Sequence, residues 1–399
     1  MVAVNPRLIF LLAFFAAIAL YVWRDKKLER HSILFIRRTK RGILTIDRIA
    51  RKAPKFWRFY GWAGVATGAL SIVAAVLAVG FTFFKMVAEK SAESGPSLIL
   101  PGTASETQLQ AGVTFVPADY WVLSIIVLMT VHELSHGIVA RTEDIEIKSV
   151  GWAIVGILPL GAFVEPEGQA QLPGDEGSED KNDSKATWDV GDWKSRLKVL
   201  CAGSFANYLA AALFFVLATG FSAGVTHAET TGYMGISLGQ NGSEIIYRAQ
   251  EGFPAYESGM RNGTLNSING TEIDSAKGLL KFMENREPGE TVRLDTSEGT
   301  FSFRLVEKKV QRLREPLVSY SGFINWFSSL LMTVSFLNVI VGLFNMLPIK
   351  PLDGGLVMET LTTEFMGEDR IEEVNRFSIA VWALLLAALL MGIVSSFVL

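Results

Sequence analysis

Cysteine and histidine are both scarce in this chain, which holds one cysteine and four histidines among 399 residues. The single cysteine, Cys201, cannot form an intrachain disulfide or a cysteine-based zinc cluster, so a bound metal needs histidine and carboxylate ligands. Charged residues are also few, at 19%, whereas 50% of the residues are hydrophobic. The net charge of −3 gives no sign of a nucleic-acid partner. These values are typical of a protein embedded in a lipid bilayer.

Long apolar runs predict six transmembrane helices, because each run approaches or exceeds the length that crosses the hydrocarbon core. The runs lie at about Leu8–Trp23, Gly61–Met86, Tyr120–Ala140, Leu197–Val225, Ile324–Leu347 and Ile379–Leu399. Thirteen Lys and Arg residues lie between Arg24 and Arg58. By the positive-inside rule this segment is cytoplasmic and the N-terminus is outside. We therefore expect a multi-pass integral membrane protein, with the cell membrane as its location.

Three segments outside these runs have distinct compositions. Residues 24–60 mix cations with apolar residues, which fits a helix in an anionic membrane interface and, equally, a solvated basic linker. Val150–Val164 is apolar but too short and too rich in glycine for a span, so it predicts a β-hairpin or a re-entrant loop at the membrane face. Residues 165–192 are acidic and predict a flexible loop that could cover a water route to the site.

The segment between the fourth and fifth runs, about Gly232–Val306, alternates apolar and polar residues and should fold as its own extracytoplasmic domain. Phe253–Gly263 followed by Leu265–Ile273 resembles the helix, turn and hairpin of a PDZ domain, with Gly232–Ser237 at the position of its peptide-binding loop. A PDZ domain binds an extended peptide or a C-terminus by adding it to a sheet edge.

The sequence His132-Glu-Leu-Ser-His136 carries the clearest chemical signal. Positions four apart share one face of a helix, so both histidines can reach one metal while Glu133 lies beside a bound water. A chance pair of histidines is the alternative. It is disfavoured because an ionisable residue such as Glu133 is costly in a spanning segment without a functional partner.

A second signal lies at the end of the fifth run, in Asn345-Met-Leu-Pro-Ile-Lys-Pro-Leu-Asp353-Gly-Gly. Two prolines interrupt the helix and two glycines permit a close turn, so Asp353 can project from the break. Such a sequence is by itself an ordinary turn. The third and fifth runs enter from the same side, however, which brings Asp353 to the same depth as the two histidines.

These two motifs closely resemble those of the site-2 protease family of intramembrane metalloproteases, in which HExxH lies on one span and N-x-x-P-x-x-x-L-D-G on a later one. The resemblance implies one Zn²⁺ per chain bound by His132, His136 and Asp353, with Glu133 as the catalytic acid and base. Gly203-Ser-Phe-Ala-Asn207 is similar to the family's G-P-x-x-N element, with serine replacing proline. Asn207 would then be catalytic, orienting the substrate or stabilising the oxyanion; an interhelical hydrogen bond is the alternative.

The segment around Gly156 to Phe163 resembles the family's membrane-associated hairpin, which is proposed to pair with the unwound substrate. The predicted substrate-binding residues are Gly156, Leu158, Pro159, Gly161 and Phe163.

The sequence as a whole predicts a mostly α membrane protein with about six transmembrane helices, a membrane-associated β-hairpin and a small α+β PDZ-like domain. The predicted parts are an anchor (1–23), a basic cytoplasmic or interfacial segment (24–60), the second helix with an external loop (61–118), the first part of the catalytic core (119–225), the PDZ-like domain (226–310) and the second part of the core (322–399). The expected function is zinc-dependent proteolysis of membrane-anchored proteins, with the active site toward the cytoplasm. A catalytically silent PDZ-bearing scaffold and a zinc transporter remain as alternatives.

Overall fold

The computed structural model describes residues 5–89, 95–104, 107–110, 112–166, 192–241, 244–273, 275–283, 286–314 and 317–398. The predicted acidic loop, 165–192, lies outside the described residues except at its two ends. The described chain divides into two compact units. One comprises Met1–Ala218 with Trp326–Leu399, and the other comprises Thr219–Asn325.

Helices dominate the first unit. In chain order the helices of the protein are α1 (Pro6–Arg24), α2 (Ile43–Lys52), α3 (Pro54–Glu89), α4 (Ala118–Thr142), α5 (Trp193–Val225), α6 (Pro254–Glu257), α7 (Ala276–Met283), α8 (Ser321–Asn345), α9 (Asp353–Met366) and α10 (Ile371–Val398). Among the described residues, six helices are long and apolar enough to cross a membrane: α1, α3, α4, α5, α8 and α10. The predicted number of spans is confirmed by these lengths and compositions.

Strands form four small sheets. They are β1 (Glu29–His31), β2 (Leu34–Thr39), β3 (Leu98–Gly102), β4 (Gln108–Gln110), β5 (Val113–Pro117), β6 (Ile147–Val155), β7 (Leu158–Pro166), β8 (Thr226–Tyr233), β9 (Ile236–Asn241), β10 (Glu244–Ala249), β11 (Asn262–Ile268), β12 (Thr271–Glu272), β13 (Thr291–Thr296), β14 (Gly299–Arg304) and β15 (Val306–Leu313). The sheet that matters for the site has the order β1-β2-β6-β7.

The apolar segment after α4 is the hairpin β6–β7, as one of its two sequence interpretations predicted. Its turn is Gly156-Ile157, and Gly156 has a positive φ of 62°, which glycine adopts without strain. Glu165 on β7 is buried and accepts hydrogen bonds from Arg38 of β2 and, at 2.5 Å, from Ser149 of β6. The Glu165 carboxylate therefore links β2, β6 and β7 through side-chain hydrogen bonds.

The basic segment 24–60 contains strands that neither of its two predictions included, and its location at a membrane interface stays a prediction. Part of it forms β1 and β2, which extend the hairpin sheet through β2–β6 pairing. The rest forms α2, whose apolar side packs against α4: Ile46 is 4% exposed, and a Cβ on Gly137 would lie only 3.0 Å from it. Arg141 of α4 also pairs with Asp47 of α2. The side of α2 that carries Ile43, Ile46 and Ile49 therefore packs against protein, whereas Leu44 of the same helix is 78% exposed.

The second unit contains a sheet of order β14-β13-β11-β10-β9, with β12 paired to β11, together with α6 and α7. Its core follows the alternating pattern of the sequence, since Ile245, Tyr247 and Ala249 of β10 are buried and their neighbours are exposed. A separate ribbon pairs β8 with β15 over its full length, from Thr226 opposite Leu313 to Tyr233 opposite Val306. The segment thus folds as a unit of its own, and its likeness to PDZ domains stays a prediction.

Candidate metal centre and substrate cleft

His132 and His136 lie one turn apart on α4, and their imidazole rings converge on the same side of the helix. Their rings are 4.6 Å apart between centroids and nearly perpendicular, at 80°. Their Nε2 atoms are 3.0 Å apart, and both residues are buried, at 7% and 9% exposure. The helical spacing therefore produces the converging pair that the sequence predicts.

Asp353 completes the group from a distant part of the chain. Its Oδ2 atom lies 3.2 Å from Nε2 of His132 and 3.4 Å from Nε2 of His136. The break between α8 and α9 brings it there, and the break depends on the two glycines that follow: a Cβ on Gly354 would lie 2.4 Å from the carbonyl oxygen of Leu347. The structure thus places Asp353 within hydrogen-bond distance of both histidines.

The three side chains fit a zinc ion. Ligands at the usual zinc distances of about 2.0–2.2 Å in a tetrahedron lie about 3.3 Å from one another, and the three separations here are 3.0, 3.2 and 3.4 Å. Nδ1 of His136 lies 2.7 Å from the carbonyl oxygen of Val199 and donates its proton there, which leaves a lone pair on Nε2. Within the part of the chain that the structure describes, Oδ2 of Asp353 is buried without a hydrogen-bond donor. Electron-rich atoms that converge in this way need a cation between them.

Helix α5 closes the other side of the centre. A Cβ on Gly203 would lie 2.3 Å from Nε2 of His136 and 2.7 Å from Nε2 of His132, so only glycine leaves room for both rings. Asn207, one turn further on, is fully buried, and its side-chain amide lies 3.2 Å from Nδ1 of His132. Asn345 at the end of α8 is 3.5 Å from Nε2 of the same histidine. Asn207 therefore contacts His132, one of the three candidate metal ligands.

Glu133 lies beside the metal centre but is held by a different element. Its Oε2 atom accepts a hydrogen bond of 3.0 Å from the backbone N–H of Val164 on β7. The carboxylate also lines a cleft of about 590 Å³ that includes His132 and Asp353. Glu133 is thus in reach of a water molecule at the centre and of a chain in the cleft.

The cleft runs between α4, β7 and the segment from Asn345 to Glu359. Gly161 and Phe163, two of the predicted substrate-binding residues, line it. Gly156, Leu158 and Pro159 lie instead at the hairpin turn, and among the described residues they are not part of the cleft wall.

β7 is the outer strand of its sheet on the cleft side. The N–H of Val164 faces Glu133, away from β6. Since backbone groups alternate in direction along an antiparallel strand, those of Ala162 also face outward. An extended chain can therefore add to this edge beside Glu133.

Sequence reasoning missed a second set of residues that holds α5 against α4. Lys198 donates to Glu143 at 2.7 Å, with both side chains at most 10% exposed, and Ser195 donates to the same carboxylate at 2.8 Å. Tyr60 of α3 lies 2.7 Å from the hydroxyl of Ser135, between the two histidines in sequence. A lysine inside an otherwise apolar run was the available signal for this contact.

Comparison with known proteins agrees with this geometry. The model of peptidase family M50 matches residues 120–389, which is more than half of the chain. An uncharacterised protein of Methanocaldococcus jannaschii is 29% identical over 362 residues, covering 88% of this chain and 84% of its own length. A Clostridium acetobutylicum protein with the provisional name of zinc metalloprotease is 22% identical over 327 residues, covering 66% of this chain and 93% of its own. The chain therefore belongs to peptidase family M50, the site-2 protease family, and is a membrane metalloprotease.

Proposed function

We propose that this protein is an intramembrane zinc protease that hydrolyses peptide bonds within or near the transmembrane segments of membrane-anchored proteins. The observation that carries the proposal is the convergence of His132, His136 and Asp353 beside Glu133, on helices whose length and composition suit a bilayer. A soluble substrate would not require the centre to lie within such helices.

Each residue has a role in the proposed reaction. The two histidines and Asp353 would hold a zinc ion, which would supply a Lewis acid for the scissile carbonyl and for a water molecule. Glu133 takes the proton from that water and delivers it to the leaving nitrogen. Its hydrogen bond from Val164 keeps the carboxylate aimed at the cleft during both transfers.

The substrate is proposed to bind as an extended strand along β7. A helical peptide bond is already hydrogen-bonded and is shielded by its side chains, so a transmembrane substrate must unwind before it is cut. The outward backbone groups at Ala162 offer hydrogen bonds to the unwound chain, and Gly161 and Phe163 line the place where it would lie. Gly156, Leu158 and Pro159 are proposed to guide it at the hairpin turn.

Asn207 admits two roles. It is proposed to act at the reacting centre, on the substrate or the oxyanion, as the family resemblance implies. Its contact with Nδ1 of His132 supports a positioning role for a ligand instead. The two roles predict different behaviour of one variant, which is given in the Discussion.

The second unit is proposed to be a PDZ-like, extracytoplasmic domain that binds a peptide or a C-terminus, with the active site toward the cytoplasm. A cavity of about 390 Å³ supports this, because it is lined by β9, by Leu279 and Met283 of α7, and by Tyr233. β9 is an edge strand of its sheet. An extended peptide could therefore pair with β9.

Two other functions are weaker. A silent PDZ-bearing scaffold needs no general base, yet Glu133 is placed beside the ligands. A zinc transporter needs ionisable side chains along a path through several spans. The converging metal-binding group of the described residues is confined to His132, His136 and Asp353.

The test is a cleavage assay on a membrane-anchored peptide, with zinc content measured on the same samples. Glu133→Gln keeps an oxygen that can accept the Val164 N–H, so we expect a folded protein with normal zinc and no cleavage. Glu146→Gln, an exposed glutamate just beyond α4, is the matched control and should cleave normally. Retained cleavage in Glu133→Gln would show that the base lies elsewhere.

A further inference from the structure

A second cavity of about 920 Å³ reaches Glu133 from another direction. It shares Glu133, Ala162 and Phe163 with the substrate cleft, but it includes none of the three metal ligands. Its walls come from β2, β6, β7 and α2 together with one face of α4. The proposed proteolytic reaction makes no use of this space.

The cavity begins near the end of α1 and extends along α4. Its mouth includes Asp25 and Lys27, which follow directly after the end of α1 at Arg24. Arg7 at the start of α1 pairs with Asp119 at the start of α4, at 2.8 Å, so the two helices run in the same direction from the same level. Counted from these starts, Arg24 is 18 residues along α1 (24 − 6) and Thr130 of the cavity wall is 12 residues along α4 (130 − 118), a difference of about 9 Å at 1.5 Å per residue. The cavity therefore extends from the level at which α1 ends toward the middle of the apolar helices.

Its lining is apolar inside and cationic at the mouth. The inner wall consists of Ile46, Leu134, Val150 and Phe163, whereas the exposed Trp152 lies near the mouth. The mouth carries Lys27, Arg37 and Arg41, and the acids that line the cavity are Asp25 at the mouth and Glu133 at the inner end.

Asp25 is already engaged at the mouth. It accepts hydrogen bonds from the Lys27 N–H and the Tyr21 hydroxyl, and it pairs with Arg37 at 2.9 Å. These contacts hold the pKa of its carboxyl below the ordinary value. Among the described residues, the Lys27 and Arg41 side chains have no acidic partner. The mouth therefore has two uncompensated positive charges.

Aromatic side chains border the same mouth. The indole N–H of Trp152 donates to the hydroxyl of Tyr21 at 3.2 Å, near the end of α1. Tyr and Trp with a polar end exposed are typical of the membrane interface. Their presence agrees with a mouth at headgroup depth.

We propose that this cavity binds one anionic membrane lipid, with its headgroup phosphate between Lys27 and Arg41 and an acyl chain along the apolar wall toward Glu133. Charge complementarity at the mouth selects the headgroup, and the apolar interior accepts the chain. Because the chain would end against Ala162 and Phe163, the lipid lies next to the strand that borders the substrate cleft.

The experiment uses the full-length protein in phosphatidylcholine nanodiscs that contain phosphatidylglycerol with a photoreactive acyl chain. Labelled peptides are mapped by mass spectrometry, and phosphatidylcholine with the same photoreactive chain is the neutral probe. We expect the phosphatidylglycerol probe to label the peptides with Leu134 and Trp152, and the neutral probe to label them much less. Lys27→Gln with Arg41→Gln should reduce the labelling about 25-fold, at about fivefold for each basic residue.

Lys26→Gln with Lys40→Gln is the matched control, because these exposed neighbours carry the same charges and do not line the cavity. This pair should label as the wild type does. Equal loss in both pairs, or equal labelling by both lipids, would overturn the proposal. Displacement by inorganic phosphate as effective as that by the lipid would also contradict it, since the chain would then contribute nothing.

Thr130→Trp provides a second route, because Thr130 is an exposed wall residue and a larger side chain there fills the space without changing charge. Labelling should fall in this variant. Asp353→Asn, which does not line this cavity and is expected to abolish the proposed cleavage, should label normally, so failure of one proposal is distinguishable from failure of the other.

Discussion

The side-chain amide of Asn207 lies 3.2 Å from Nδ1 of His132, and this contact decides which nitrogen of His132 is free to bind a metal. If Nε2 is the ligand, Nδ1 carries the proton and needs an acceptor. The amide oxygen of Asn207 has no hydrogen-bond partner among the described residues, and it becomes that acceptor when the amide turns by half a rotation. Asn207 then fixes both the tautomer and the direction of His132.

This relationship gives a discriminating variant. Asn207→Asp keeps an acceptor for Nδ1 of His132 but removes the N–H₂ donor that an oxyanion would need. We expect this variant to bind zinc normally, while Asn207→Leu should bind it about 10–100-fold more weakly, as is usual when such a partner is lost. Zinc competition with a chelator measures both. If Asn207→Asp binds zinc normally but no longer cleaves, the amide acts on the substrate as well.

Gly203 should be intolerant of any side chain. In Gly203→Ala the new Cβ would lie 2.3 Å from Nε2 of His136, so the rings must separate and zinc binding should fall sharply. Gly220→Ala on the same helix is the matched control, since its Cβ would meet no atom within 4 Å. Equal zinc content in the two variants would mean that α5 moves freely relative to α4.

Asp353 is the predicted third ligand. Asp353→Asn keeps a polar residue at the start of α9 but replaces a charged ligand with a weak neutral one, so zinc binding should weaken by about 100-fold or more. Cleavage should be lost with it. Metal analysis after dialysis checks the first effect, with the exposed residue Asp369, changed to Asn, as control. Normal zinc stoichiometry in Asp353→Asn would place the third ligand elsewhere.

The buried pair of Lys198 and Glu143 should matter through stability and alignment. Lys198→Met leaves a buried carboxylate without its cation, which typically costs about 3–5 kcal/mol. The neighbouring Val199 carbonyl, which accepts from His136, should shift as well, so zinc binding should weaken. Thermal unfolding in detergent tests the first effect. Removing both charges, Lys198→Met with Glu143→Met, should restore most of the stability.

Lys194→Met on the exposed side of the same helix serves as the control for the Lys198 variant. It should unfold at the wild-type temperature and bind zinc normally. A Lys198→Met protein that is as stable as this control would show that the ion pair contributes little.

The second unit can be removed at a point that the ribbon defines. Tyr233 and Val306 are paired partners at the end of β8 and β15, so an Asn-Gly turn can replace residues 234–305. We expect cleavage of a short unstructured membrane peptide to persist, while the choice among full-length substrates changes. Rates on both substrate types check this. Loss of peptide cleavage would give the unit a role in the chemistry.

The spans and the grouping of the candidate metal ligands were predictable because they depend on local rules. Long apolar runs predict helices, a four-residue spacing puts two histidines on one face, and prolines with glycines mark the break before Asp353. These signals can be read without knowing which helices and strands pack against one another. The hairpin was also predictable, since its glycines and β-branched residues disfavour a helix.

The strands in the basic segment were not predictable in the same way. β1 and β2 exist because β6 offers an edge more than one hundred residues later in the chain, and β2 pairs with it. The role of Gly203 depends equally on a distant element, the two imidazoles of α4. Contacts of this kind arise from tertiary packing, which overrides local propensity.

The hydrogen bond from Val164 to Glu133 joins the proposed base to the strand that is proposed to receive the substrate. A hairpin that moves away from α4 withdraws this donor and leaves the Glu133 carboxylate free to rotate. Chemical competence and the docking edge are therefore lost together. In a membrane that contains many other helices, the protein would therefore cleave nothing until its own hairpin packs against α4.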